Sequence, residues 1–168
     1  MSEPTDFMRE AIALARANVA EGGRPFGAVL VRDGEVLARA ANRIHATHDP
    51  TAHAELLAIR EAAQRSGSPR LDGAVIYASG HPCPMCLAAM HLCGVTRAYY
   101  AYSNEDGEPF GLSTSAVYAQ MALPPDRQSL SLEPLRPEGE RGLYEAWSAV
   151  RGQGFSRLRM KMRSCASG

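Results

Sequence analysis

Asp49-Pro50-Thr51-Ala52-His53-Ala54-Glu55 and Pro82-Cys83-Pro84-Met85-Cys86 are the two stretches on which the reading of this chain turns. One imidazole, His53, and two thiols, Cys83 and Cys86, suit Zn²⁺ and leave one tetrahedral position open. An open position is the mark of a catalytic rather than a structural metal site. Glu55 is then a carboxylate that the metal does not need, free to move protons. Positions 83 and 86 lie three apart and share one face of a helix's first turn. The N-terminal end of a helix also carries partial positive charge and unpaired N–H groups, which favour thiolates. His53 and Glu55 are two apart and cannot point the same way on a regular helix, so Glu55 is expected beside the metal rather than on it.

Two other readings of the cysteine pair stand beside this one. A structural zinc would need a fourth ligand at ligand spacing, and His45, His48, His81 and His91 form no paired motif with the cysteines. A redox C-x-x-C pair would leave His53 and Glu55 without a role.

Outward from the motifs, hydrophobic periodicity sets the elements. Phe7, Met8, Ala11, Ile12, Leu14, Ala15 and Val19 recur at helical spacing, and Gly22-Gly23 stops that helix. Residues 26–31 and 35–40 read as strands joined at Asp33-Gly34, a hairpin signal. Residues 42–51 read as a loop, and 52–65 as a helix ended by Gly67 and Pro69. Residues 74–78 form a short apolar run suited to a buried strand. A helix is expected from Cys83-Pro84 to Gly94, because proline suits a first helical position. A strand over 96–102, a loop over 103–114, a helix over 115–122, a strand over 129–132 and a helix over 138–150 complete the order. The result is one α/β domain with helices flanking a sheet of about five strands, followed by a tail from about residue 153.

Composition narrows the possibilities. With 168 residues, 45% of them hydrophobic, the chain can bury a real core. Met1-Ser2-Glu3-Pro4 is polar and no apolar run reaches the roughly 18 residues of a membrane span, so a cytoplasmic location without membrane contact is expected. Lys and Arg total 18, as do Asp and Glu. That balance argues against a protein that grips a long phosphate backbone. One basic stretch stands apart: Arg157, Arg159, Lys161 and Arg163 alternate with Leu158, Met160 and Met162, as in a solvated tail or an edge strand. Cys93 reads as a buried filler and Cys165 as an incidental thiol.

The spacing H-x-E…P-C-x-x-C matches the signature of zinc nucleobase deaminases. Here the chain resembles the cytidine deaminase-like superfamily and, within it, bacterial guanine deaminases and their nucleoside-deaminase relatives. The resemblance runs from about Asp6 to Val150. It rests on Arg24-Pro25-Phe26-Gly27-Ala28-Val29, on Asn42 and the stretch Asp49 to Glu55, and on Pro82 to Cys86. It continues weakly through Val117-Tyr118 and Glu145-Ala146-Trp147.

The resemblance implies a three-layer α/β/α fold with a mixed central sheet. It implies a hydrolytic deaminase that turns a ring amino group into a carbonyl and releases ammonia. The substrate would be a free heterocyclic base, with guanine foremost. His53, Cys83 and Cys86 would hold Zn²⁺ and Glu55 would shuttle protons. Asn42 would hydrogen-bond the ring and Phe26 wall the pocket. A homodimer with exchanged C-terminal segments is implied as well. The alternatives are a tRNA adenosine deaminase and a deaminase-like binding module with structural zinc.

The departures concern specificity. Guanine deaminases carry an acidic pair where this chain has Ser113-Thr114, a stacking tryptophan near Leu92, and a glutamate in place of His81. A lost carboxylate is worth about 1–3 kcal/mol to a substrate N–H, enough to change preference. Glu105, Asp106 or Glu108 could compensate, and His81 and Thr114 are the positions expected to meet the ring.

Overall fold

A computed structural model describes residues 3–151. They fall into two units, divided between Ser129 and Leu130. In the first unit α1 (Pro4–Ala20) leads to the hairpin β1 (Gly27–Arg32) and β2 (Glu35–Ala41), then α2 (Ile44–Thr47) and α3 (Ala54–Ser66). After them come β3 (Val75–Gly80), α4 (Pro84–Cys93), β4 (Arg97–Tyr102), α5 (Asn104–Gly107) and α6 (Ser115–Met121). Among the described residues no helix is long and apolar enough to cross a membrane.

The sheet order is β2-β1-β3-β4. β1 pairs antiparallel with β2 and β3, and β3 runs parallel to β4, so the sheet is mixed. Asp33 and Gly34 both take positive φ, 53° and 80°, as the tight hairpin requires. Leu30 pairs with Ala38 but Val31 with Val36, so Leu37 is the extra residue of a bulge.

The strand periodicity of two separates the layers. Ala28, Leu30, Ile76 and Ala78 pack with Ala54, Ala58, Ala62, Cys86 and Met90 of α3 and α4. On the opposite face Val29, Val31 and Tyr77 meet Phe7 and Ala11 of α1. β1 and β3 are thus buried on both sides, which is why they read as unbroken apolar runs. β4 is mostly exposed, with Tyr99, Tyr100 and Tyr102 open to solvent.

Two expectations need correction. Four strands are present among the described residues, not five: residues 129–132 form bends and coil. Ser129 N–H donates to the Gln120 side-chain oxygen at 2.8 Å instead of to a ladder, and Leu130 and Leu132 are exposed. In the second unit the described helix covers 143–151, five residues later than expected at its start. Gly142 has φ 77°, outside the helical region, so the chain cannot turn helical before it. The basic stretch at 157–163 and the tail from 153 lie outside the described residues.

Candidate active site

Two helix starts build the metal end of the site. His53 and Cys83 occupy the same station, the residue just before a helix, with nearly equal backbone angles (φ −76°, ψ 148° and φ −73°, ψ 166°). The loop before His53 is tied by its own side chains. Asp49 Oδ1 accepts from the Thr51 N–H at 2.8 Å and from its hydroxyl at 2.7 Å, and the His53 N–H reaches Thr51 O at 2.7 Å. Before Cys83, β3 ends at Gly80, and Pro84 takes the first helical position of α4. Because His53 precedes the helix while Glu55 is inside it, the two side chains diverge without strain.

The three donors form a nearly equilateral triangle. His53 Nδ1 lies 3.5 Å from Cys83 Sγ and 3.6 Å from Cys86 Sγ, and the sulfurs are 3.5 Å apart. Zn–S bonds of about 2.3 Å and a Zn–N bond of about 2.0 Å at tetrahedral angles require edges of roughly 3.5–3.8 Å, so the donors fit a zinc ion at one apex. Among the described residues His53, Cys83 and Cys86 alone form such a group, and no fourth His, Cys, Asp or Glu joins it.

The electrostatics agree with this fit. A shared hydrogen bond with Cys86, followed by one from His53, pulls the Cys83 thiol down to about 4. The same bond to Cys83, together with burial, pushes the Cys86 thiol up. Two sulfurs 3.5 Å apart cannot both carry charge at low cost, and a bound cation would relieve that crowding. The hydrogen bond to Cys83 raises the His53 imidazole. Glu55 is 7% exposed, and burial raises its carboxyl above the usual range, with the Cys86 thiol alongside as a hydrogen-bond partner. A carboxyl held in this way binds its proton more tightly than a free one, which suits a group that carries protons.

The expected ring-contacting residues sit around this centre with different degrees of directness. Asn42 is buried at the end of the hairpin. Its Oδ1 accepts from the Ile44 N–H at 3.1 Å, and its amide nitrogen makes no hydrogen bond among the described residues. Phe26 packs on the core cluster that contains Cys83 and Cys86. Its ring fills the space where a side chain at Gly80 would stand, since a Cβ there would meet it at 2.7 Å. His81 lies 4.7 Å from the Tyr100 ring and edge-on to Tyr118 at 5.5 Å. Thr114 touches Asn104 rather than His81 directly. Leu92 is 79% exposed and lies about 12 Å along α4 from its cysteine end.

A cleft of about 560 Å³ opens between Ile12, Arg16 and Val19 of α1 and Gly80 at the end of β3, His81 just after it and Asn104 at the start of α5. His53, Glu55, Cys83 and Cys86 do not line it, although Phe26 and His81 do. Phe26, which packs against the cluster holding Cys83 and Cys86, is shared between this cleft and the metal end.

Several supporting residues are missing from the expected set. Asn18, on the apolar stripe of α1, donates through Nδ2 to Arg24 O at 2.7 Å and to Asn42 O at 2.9 Å. Ser79 Oγ accepts from the Gly27 N–H at 3.0 Å and donates to Pro25 O at 3.2 Å, clamping the Phe26 segment to β3. Tyr118 donates its hydroxyl to Pro82 O at 2.6 Å, next to Cys83. Asn18 had one visible signal: a polar side chain following Phe7, Ala11 and Ala15 on a buried helical face.

What the fold and these donors define is a class, the zinc-dependent hydrolases that exchange an amino group for a carbonyl. The chain belongs to the family described as the cytidine and deoxycytidylate deaminase zinc-binding region, whose pattern matches residues 1–102. It is similar to the guanine deaminase of Bacillus subtilis, 34% identical over 142 residues, which are 84% of this chain and 91% of that protein. The X-ray structure of guanine deaminase from Bacillus subtilis superposes with a TM-score of 0.81 at 33% identity, covering 88% of this chain and 95% of that one. A tRNA-specific adenosine deaminase of Agrobacterium fabrum is 43% identical over 107 residues, 64% of this chain and 70% of that protein.

Proposed function

We propose that the protein hydrolyses the exocyclic amino group of a free aminated heterocyclic base, with guanine as the reference substrate. The observation that carries this reading is the donor triangle of His53, Cys83 and Cys86 with the buried Glu55 carboxyl beside it. His53, Cys83 and Cys86 would hold the zinc. When bound, the ion acidifies water so that a nucleophile is available at neutral pH.

Glu55 would take one proton from the attacking water and give it to a ring nitrogen, then carry the second proton, from the hydroxyl added to the ring carbon, to the departing amine, and so end as it began. The overall change is ring–NH₂ plus water to ring carbonyl plus ammonia. The Asn42 amide nitrogen is free to hydrogen-bond the ring, and Phe26 closes one side. His81 and Thr114 are the positions that would set which ring is taken.

Support for a free base comes from the guanine deaminase relative, which matches over most of both chains. The tRNA reading draws on the higher but shorter identity to the Agrobacterium enzyme. Against it stands the balanced charge of the whole chain. An ammonia-release screen over free bases, paired with salt-dependent tRNA binding, separates the two. The free-base reading fails if only tRNA is turned over.

A homodimer with exchanged C-terminal segments belongs to the same proposal. Leu143, Tyr144, Trp147 and Val150 in the second unit are exposed and apolar, as is the tyrosine-rich edge of β4 in the first. Light scattering giving a monomer mass would remove it. A cytoplasmic setting is consistent with the free thiols at Cys83, Cys86 and Cys93, which a reducing compartment preserves.

A further inference from the structure

The link that carries the first thiol is short of backbone donors. Between β3 and α4 stand His81, Pro82 and Cys83, and Pro84 opens the helix. Pro82 and Pro84 have no N–H, so ladder bonds cannot tie this stretch down. His81 N–H is anchored on Tyr102 O at 2.8 Å, at the end of β4. Each proline ring fixes its own φ, and a residue before a proline is pressed into an extended conformation. Cys83 obeys this with φ −73° and ψ 166°. The least restrained torsion left in the link is ψ of Pro82, the rotation that swings the Pro82 carbonyl and aims Cys83.

Two side chains hold that carbonyl. The Tyr118 hydroxyl donates to Pro82 O at 2.6 Å, from 36 residues away along the chain. His81 Nδ1 stands 3.0 Å from the same oxygen. A carbonyl oxygen only accepts, so His81 donates from Nδ1, and the two donors use both lone pairs. The rings brace each other as well: His81 meets Tyr118 edge-on at 5.5 Å and Tyr100 at 4.7 Å. Helix α6 is itself tied, because the N–H of Thr114, one turn before Tyr118, donates to Asn104 Oδ1 at 3.0 Å. Burial raises the Tyr118 phenol, so its hydroxyl stays a donor through neutral pH.

We infer that Tyr118, seconded by His81, is a positioning residue of the metal centre: through the Pro82 carbonyl it fixes the direction of Cys83. This rests on the zinc-holding part of the reading above and on nothing about the substrate. Without the hydroxyl the Pro82–Cys83 peptide can turn, and the 3.5 Å edges from Cys83 Sγ to His53 and Cys86 are no longer preset. Groups that orient ligands from outside typically govern metal affinity by about 10–100-fold. One hydroxyl that shares its acceptor with a second donor belongs at the lower end, about tenfold. His81 is left with only Nε2 for a ligand in the cleft it lines.

Tyr118→Phe removes the hydroxyl and keeps the ring beside His81. The test uses the full-length protein, stripped of metal and titrated with Zn²⁺ against a chromophoric chelator at neutral pH. Co²⁺ in place of zinc gives an absorption spectrum that reports thiolate geometry, and the melting temperature of the metal-free protein controls for folding. Tyr118→Phe is expected to bind Zn²⁺ about tenfold more weakly and to shift the Co²⁺ bands, with the metal-free melting temperature little changed. His81→Phe removes the second donor and is expected to act in the same direction but less, since its contact is longer. Tyr99→Phe, on the exposed strand β4, should change neither readout. A Tyr118→Phe protein with the parent's Zn²⁺ affinity and Co²⁺ spectrum overturns the assignment, whatever its melting temperature. Should that variant not fold, His81→Phe decides, and parent values there overturn it equally. A parent without zinc affinity removes the zinc reading together with this one, whereas a zinc-binding parent matched by its variants removes this one alone.

Discussion

The two sides of the site are made in different ways. The metal side consists of two helix starts, each carrying its chemistry within a few residues: His53 and Glu55 on one, Cys83 and Cys86 on the other. The side proposed to meet the ring has no such block. His81 follows β3, Asn104 opens α5 and Thr114 precedes α6, and they meet only across the breaks between elements, as where Asn104 Oδ1 accepts from the Thr114 N–H at 3.0 Å. Local sequence suffices to place the first kind of site, whereas the second exists only after the chain has folded.

Changes on the metal side should be severe and independent of substrate. Cys86→Ala removes a fully buried donor from the triangle. It is expected to abolish stoichiometric zinc and reduce deamination to background, and a chelator should do the same to the parent while lowering its melting temperature. Metal analysis and calorimetry check both. Glu55→Gln is expected to keep its zinc yet lose about 10²–10⁴-fold in kcat, because it removes the proton carrier and leaves the ligands. A Glu55→Gln variant as fast as the parent would falsify the proton-transfer role.

Changes that join the two sides should be smaller and fall on stability. Asn18→Ala leaves Arg24 O and Asn42 O without their shared donor and is expected to cost about 1–3 kcal/mol. Denaturant unfolding measures it; an unchanged midpoint would mean that Asn42 and the Phe26 segment are held without α1.

Changes on the ring-reading side alone should alter preference more than rate. Thr114→Asp places a carboxylate where guanine deaminases have one. It is expected to improve guanine relative to other bases by about tenfold, with the melting temperature nearly unchanged. A fall in relative guanine turnover would mean that the edge is read elsewhere and would blur the contrast drawn above.

Particular residues explain how far the sequence could be read. The hairpin at Asp33-Gly34, the two-faced burial of β1 and β3, and the start of α4 at Pro84 all follow from local signals, because turn chemistry, alternation and capping act over a few residues. The strand expected at 129–132 is not formed, since four residues of strand propensity cannot make a strand without an edge to pair with. The tie between Asn104 and Thr114 was not legible, for an asparagine at a helix start reads as turn chemistry. Only the bonds to Thr114 give that side chain a direction.

By itself, then, the sequence determined the reaction's chemical equipment: an imidazole, two sulfurs and one spare acid at helix starts, because ligand type and short-range spacing are written along the chain. Tertiary structure decided which side chains hold that equipment in place: Asn18 on Asn42 O, Ser79 on the Phe26 segment and Tyr118 on Pro82 O. A side-chain amide can donate or accept, and what Asn18 does depends on Asn42 O, 24 residues away along the chain until folding brings it to 2.9 Å.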